Sequence, residues 1–259
     1  MPVRTFTASV KGEDRYVYTP INDGSTLLVV ADGHGGAKCA DSTVTAIQAA
    51  FQTAQTEAKL RDAGNDWPVT AENLLREAMA VAAKQTEGES SGAVVTAVLA
   101  SSAGDMVAWA QVGDTVAIWR NKEGDIERTP DHNCRSNIAE RKAAVQRGGH
   151  YIAGYIMAPD GSGGLQPARS LGDEYMGRVA SKEPDVGSST LDGPLLVSSD
   201  GVITGIQGSP KAETAAFTQL LEQAEAGEDL EPSVNALLPG GFLDDVTVLV
   251  FVPEAGDGE

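Results

Sequence analysis

The sequence predicts an α+β fold in which two antiparallel sheets lie inside helices. Three observations predict it. Apolar, β-branched runs of strand length recur along the chain. Longer stretches rich in Ala, Gln, Glu and Lys carry apolar residues at three- and four-residue spacing. The order of these elements does not alternate as a parallel βαβ sheet would. A chain of 259 residues with 41% hydrophobic residues suits one core, so a single domain is expected over 1–253, with 254–259 as a frayed tail.

Strands are expected at 26–31, 93–100, 106–111, 116–119, 195–198 and 246–252, and Tyr16-Val17-Tyr18 is a further possible strand. Helices are expected at 38–60 and at 71–84, the second with Thr70 as N-cap. A third, at about 137–146, ends in Gly148-Gly149, where tandem glycine supplies the positive φ of a C-cap. A fourth runs over about 210–226. Residues 154–187 are glycine-rich with weak periodicity, and a flap over a site is expected within about 133–190.

The charge balance is acidic: 19 Lys and Arg against 37 Asp and Glu give −18. A nucleic-acid backbone would meet net repulsion, so that partner class is excluded. Carboxylates in excess either keep a protein soluble or load a site with cations, and composition does not separate the two. Cys39 and Cys134 form no Cys-x-x-Cys spacing, so neither a disulfide framework nor structural zinc is argued. The amino terminus lacks the apolar stretch of a signal peptide, and no run reaches the ~18 apolar residues of a membrane span. The expectation is a cytoplasmic monomer with no membrane partner.

The acids gather at strand ends. The run 27–31 enters Asp32-Gly33-His34-Gly35-Gly36, 195–199 enters Asp200-Gly201, and Gln111-Val112 enters Gly113-Asp114. Asp244-Asp245 precedes the last strand and Glu13-Asp14 precedes the possible strand at Tyr16. Any one Asp-Gly taken alone is most simply a turn. Five carboxylate clusters brought together at the rims of sheets would repel unless hard cations neutralised them, and oxygen ligands favour Mg²⁺ or Mn²⁺ over zinc.

This ordered set, with Arg169-Ser170-Leu171-Gly172-Asp173 and Val246-Thr247, resembles the metal-dependent protein phosphatases, the protein phosphatase 2C family. The segment holding Asp131-His132-Asn133, Glu140-Arg141 and Gly148-Gly149 is also similar to that family's stretch ahead of its flap. The resemblance covers about residues 5–252. It implies a β-sandwich flanked by helices, a four-layer α-β-β-α arrangement with a flap, and two Mg²⁺ or Mn²⁺ ions at one end. Asp32 would bridge both ions, the Gly33 carbonyl and Glu13 would complete one, and Asp200 and Asp244 would hold the other. Asp14 would orient water, and Asp114 matches a ligand of a weaker third ion. The implied reaction is hydrolysis of phosphoserine and phosphothreonine in proteins by metal-bound hydroxide, with His34 as general acid toward the alkoxide leaving group.

Several positions depart from the family pattern. Relatives carry an Arg shortly before the Glu-Asp pair to hold phosphate, whereas Ser9-Val10-Lys11-Gly12 is short and lacks one. Lys11, Arg4 and Arg15 are the candidates to replace it, and the phosphate-binding residue is left open. Thr204 stands where many relatives have Asp, and Asp245 stands for the usual Asn, adding charge expected to raise a neighbouring pKa or strengthen cation binding. The competing reading is a catalytically weak relative that binds phosphoproteins as a regulator, motivated by the missing Arg. Gly161-Ser162-Gly163-Gly164 lacks the Lys of a phosphate loop and is expected to be a plain loop. Trp67, Trp109 and Trp119 are expected to pack, and Cys39 and Cys134 are expected to be bystanders, although oxidation near the Asp32 loop could be inhibitory.

Overall fold

The structure, a computed structural model, describes residues 3–204, 206 and 209–253. The chain opens with three strands, β1 (Val3–Ala8), β2 (Arg15–Pro20) and β3 (Thr26–His34). Helices α1 (Lys38–Phe51), α2 (Ala54–Asp62) and α3 (Trp67–Gln85) follow. A meander of β4 (Gly92–Ala100), β5 (Met106–Val112), β6 (Val116–Arg120) and β7 (Ile126–Arg128) leads to α4 (Ile138–Gln146). The short strands β8 (His150–Ile152), β9 (Tyr155–Met157), β10 (Gly164–Leu165) and β11 (Leu171–Gly172) precede β12 (Asp185–Thr190) and β13 (Leu195–Ser198). Helices α5 (Pro210–Glu225) and α6 (Leu230–Leu237) and strand β14 (Val246–Phe251) complete the described chain.

Two antiparallel sheets stack face to face. One has the order β1-β14-β13-β6-β7, and the other β12-β5-β4-β3-β2 with β11 beside β4. The continuous apolar runs of the central strands are explained by burial on both faces. In β3, Leu27, Val29 and Ala31 face α1–α3, while Leu28 and Val30 face the opposite sheet. In β14, Val246, Val248 and Val250 pack on α5 and α6, while Leu249 and Phe251 enter the space between sheets. Three cores separate four layers, and each fully buried Val or Leu contributes about 1.5–3 kcal/mol by leaving water. The expected α+β sandwich is the one observed.

Local expectations needed correction. The helix expected over 38–60 is two helices, because Thr53 turns out of the helix and its Oγ accepts the Thr56 N–H as the N-cap of α2. Apolar spacing persists across that break, so periodicity alone does not reveal it. Helix α3 starts at Trp67 with Pro68 in its first turn, which leaves Thr70 inside the helix rather than capping it. Asn137 does cap α4, accepting from Ala139 and Glu140. Strand β1 was not expected, since its alternating half-exposed pattern is that of an edge paired along its length with β14. Helix α6 was also missed.

The flap contains β8–β10 over a small core of its own that includes Ile156, Leu165 and Met176. Its expected end at 190 is too late: residues 185–190 form β12, paired with β5 in the main sheet. The expected tail, 254–259, lies outside the described residues. No described helix is long and apolar enough to cross a membrane.

Candidate active site

Antiparallel pairing carries the acidic strand rims to one end of the sandwich. Strand β2 pairs Arg15 with Ala31, so Glu13 and Asp14 lie beside the end of β3. The last three residues of β3, Asp32, Gly33 and His34, still pair with β4, opposite Val94, Ala93 and Gly92. Strand β13 ends against the start of β6 and beside β14, which brings Asp200 near the Gly113-Asp114 turn and Asp244-Asp245. Glycine is required where these segments touch. A Cβ on Gly33 would stand 2.7 Å from the Glu13 carbonyl oxygen, and one on Gly113 would stand 2.1 Å from the Val94 side chain.

A cavity of about 360 Å³ opens at this end. Asp32, Gly33, His34, Asp114, Asp200 and Asp244 line it, together with Lys11. The flap supplies the opposite wall through Tyr155, Leu165, Gln166 and Pro167, with Tyr175 beside them. Glu13 and Asp14 are not on the cavity wall: Glu13 Oε1 accepts the Gly36 N–H at 2.6 Å, and Asp14 Oδ2 accepts from Ser199 Oγ at 2.8 Å.

The electrostatics of the floor are those of crowded, desolvated acids. Burial pushes the Asp32 carboxyl well above its ordinary range, and Asp200, Asp14, Asp114 and Asp244 add to the effect. Asp200, hydrogen-bonded to Asp32, is raised to about 6 by burial and Asp244. Burial raises Asp14 to about 6 against the opposing Thr247 and Ser199 bonds. Asp114 reaches about 8 through burial, Asp200 and Asp131, although Asn133 Nδ2 donates to it at 2.8 Å.

Among the described residues no three His, Cys, Asp or Glu side chains are arranged to enclose an ion, and several are turned to protein partners instead. Lys11 Nζ donates to Asp244 Oδ2 at 2.7 Å, alongside the Glu13 and Asp114 bonds above. The donor set nevertheless fits a hard divalent cation. It is rich in carboxylate oxygen, its negative charge outweighs the one lysine, and Asp14 Oδ1 is buried with no hydrogen-bond partner.

Three residues whose roles sequence reasoning missed complete the site. His34 Nε2 meets Asp173 Oδ2 at 2.6 Å, and Ser170 Oγ donates to the same oxygen at 2.6 Å. The contact passes over Gly92, where a Cβ would lie 2.1 Å from Asp173 Oδ2 and 2.2 Å from His34 Nε2. Asp173 itself takes a left-handed φ of 47°. His132 Nδ1 accepts the Gly113 N–H at 3.0 Å and its Nε2 faces Asp185 at 3.2 Å, so it holds the Asp114 turn. Burial, with Arg169 nearby, pushes its pKa down and keeps it neutral.

Of the basic candidates only Lys11 reaches the cavity. Arg15 is tied to Asp41 and to the carbonyls of Gly12 and Asp14. Arg4 bonds the Glu228 carbonyl. Thr204 Oγ1 donates to the Gly201 carbonyl. Asp245 adds to the upward shift of Asp14, as expected, and does so from a buried position bonded to backbone N–H groups. Both cysteines are buried and burial pushes their thiols up, to about 11 for Cys39 and about 12 for Cys134, which removes the basis for an oxidation site. Trp119 and Trp67 pack in the cores as expected.

A sequence model of the family described as Protein phosphatase 2C matches residues 13–202. Among curated proteins, none is similar enough in sequence to match. Solved structures that resemble the fold include a serine-threonine phosphatase 2C from Toxoplasma gondii, at 17% identity and TM-score 0.74, covering 97% of this chain and 94% of that one. A C. elegans sex determining protein aligns at 19% identity and TM-score 0.73, over 97% of this chain and 64% of that one. A bacterial serine phosphatase aligns at 18% identity and TM-score 0.63, over 100% of this chain and 100% of that one.

Proposed function

The chain belongs to the protein phosphatase 2C family, and from that premise we propose that it hydrolyses phosphoserine and phosphothreonine in proteins at the acidic cavity, with two Mg²⁺ or Mn²⁺ ions. The observation that carries this reading is the cavity floor, where carboxylates from separate strand rims face one another with raised pKa values. Crowding of this kind is costly in a folded protein unless a ligand uses it. Asp32, the Gly33 carbonyl, Glu13, Asp200 and Asp244 would hold the ions, and Asp114 would serve a weaker third. Two such ions would acidify a water and offset charge on the phosphoryl oxygens.

The chain's own residues account for the remaining steps. Lys11, on the cavity wall, receives the substrate phosphate in place of the missing Arg, exchanging its bond to Asp244 for one to a phosphoryl oxygen. Asp14, just behind the cavity wall with Oδ1 buried and without a partner, would accept a hydrogen bond from a water held at the ions. His34, its ring held through Nε2 by Asp173, gives a proton to the serine or threonine alkoxide, a poor leaving group otherwise. The competing view of a weak, regulatory phosphoprotein binder was motivated by the missing Arg, and a lysine in the cavity weakens that motive.

The direct test is hydrolysis of p-nitrophenyl phosphate with Mn²⁺, with and without chelator. Turnover that appears with Mn²⁺ and vanishes with chelator is expected; a wild-type protein with no metal-dependent turnover removes the enzyme reading.

A further inference from the structure

Asp245 follows the proposed ligand Asp244, yet it does not line the cavity and is only 2% exposed. Its carboxylate receives the backbone N–H groups of five successive residues. Oδ1 accepts from Val10 at 2.5 Å, Lys11 at 2.7 Å and Gly12 at 3.1 Å; Oδ2 accepts from Glu13 at 2.5 Å and Asp14 at 3.2 Å. Successive N–H groups turned on one point make a concave anion site, and here the anion is a side chain of the same chain. Gly12, at a φ of 79°, supplies the left-handed turn that lets the loop wrap so closely. On its other side Asp245 is fixed by Gly201, where a Cβ would lie 1.9 Å from the Asp245 carbonyl oxygen.

We propose that Asp245 is a positioning residue for the site: its carboxylate is the anchor about which loop 10–14 folds, and it sets where Lys11, Glu13 and Asp14 stand relative to Asp32 and Asp200. The inference rests on the proposed roles of those three residues. It joins the short loop and Asp245, two features that the sequence resemblance marked as departures, into one device. A short loop that turns five N–H donors inward needs an acceptor with two oxygens and several lone pairs. The amide of Asn offers one acceptor oxygen and would turn its own NH₂ against the donors. The shortened segment and the aspartate are therefore two halves of the same arrangement, which also delivers Lys11 to the cavity wall.

Asp245→Asn tests this. Mn²⁺ affinity measured by calorimetry is expected to fall about tenfold to a hundredfold, as when groups behind a ligand are lost. KM for p-nitrophenyl phosphate should rise more than kcat falls. The double variant Lys11→Ala with Asp245→Asn should have no higher KM than Asp245→Asn alone, because both changes remove the same lysine contact. A residue with only a structural role would lower the melting temperature and leave Mn²⁺ affinity and KM at wild-type values in the folded protein, and that result overturns the proposal. Should Asp245→Asn fail to fold, Gly12→Ala keeps the carboxylate and strains only the exposed loop. A several-fold loss of Mn²⁺ affinity is expected there too, and wild-type affinity in that variant overturns the proposal. A wild type without metal-dependent turnover would count against the phosphatase reading instead, with the calorimetric affinities still deciding the role of Asp245.

Discussion

One buried aspartate, Asp245, and a cluster of half-buried aspartates stand at the same end of the sandwich and behave in opposite ways. Asp245 is surrounded by five backbone N–H groups; burial pushes its pKa up, but those donors outweigh it and hold the carboxyl well below the usual range. For Asp14, Asp32, Asp114 and Asp200, burial and mutual repulsion outweigh their hydrogen bonds and carry all four above it. Residue type and placement at a strand rim are the same for Asp245 and for the cluster. What differs is where the neighbouring backbone N–H groups point. An acid ringed by backbone donors serves the fold, whereas a set of acids crowded against one another marks a place suited to a cation.

The strongest way to break that contrast is Asp32→Ala, which should abolish both turnover and calorimetric Mn²⁺ binding. Unchanged affinity in that variant would mean the crowded acids are not the cation site. A smaller effect sharpens the division of labour within the crowded group. His34→Gln should slow hydrolysis of alkyl phosphates by about 10²-fold or more, while p-nitrophenyl phosphate, whose leaving group needs little protonation, loses much less. Equal losses on both substrates would remove the general-acid role.

The smallest effect is thermal and follows from the opposite signs of the two groups. In chelator, carboxyls with raised folded pKa bind protons more tightly in the folded protein than in the unfolded chain. Their effect makes the protein more stable as pH falls from about 8, the value reached by Asp114, toward the unfolded carboxylate value of about 4. Asp245, depressed, contributes stability that is complete above that unfolded value and is lost only as pH falls further. Melting temperature in chelator should therefore rise from pH 8 to pH 5, and Asp114→Asn should flatten the rise. A melting temperature that climbs with pH over that interval would show that the crowding is relieved in some other way.

Much of this protein was legible in one dimension. Strands β3, β4, β5, β6, β13 and β14 announced themselves because burial on both faces demands unbroken apolar runs, and the carboxylates at their ends needed only adjacency in sequence. The edge strand β1 and strand β12 were hidden, since half-exposed strands carry mixed residues that only a partner strand organises. The split between α1 and α2 turned on one threonine hydroxyl that apolar spacing does not register.

The amino-acid sequence by itself determined the layers and the acidic rims, because those follow from local backbone preference and from which residues avoid water. Tertiary structure alone decided the partners. His34 meets Asp173 across 139 residues, and Asp245 gathers the Glu13 N–H across 232. Each depends on strand register, and on a glycine thin enough, at Gly92 and Gly201, to let two segments touch. Local sequence states what a side chain can bond. Only the closed sandwich states which donor arrives, and so whether an aspartate becomes an anchor or stays open for a cation.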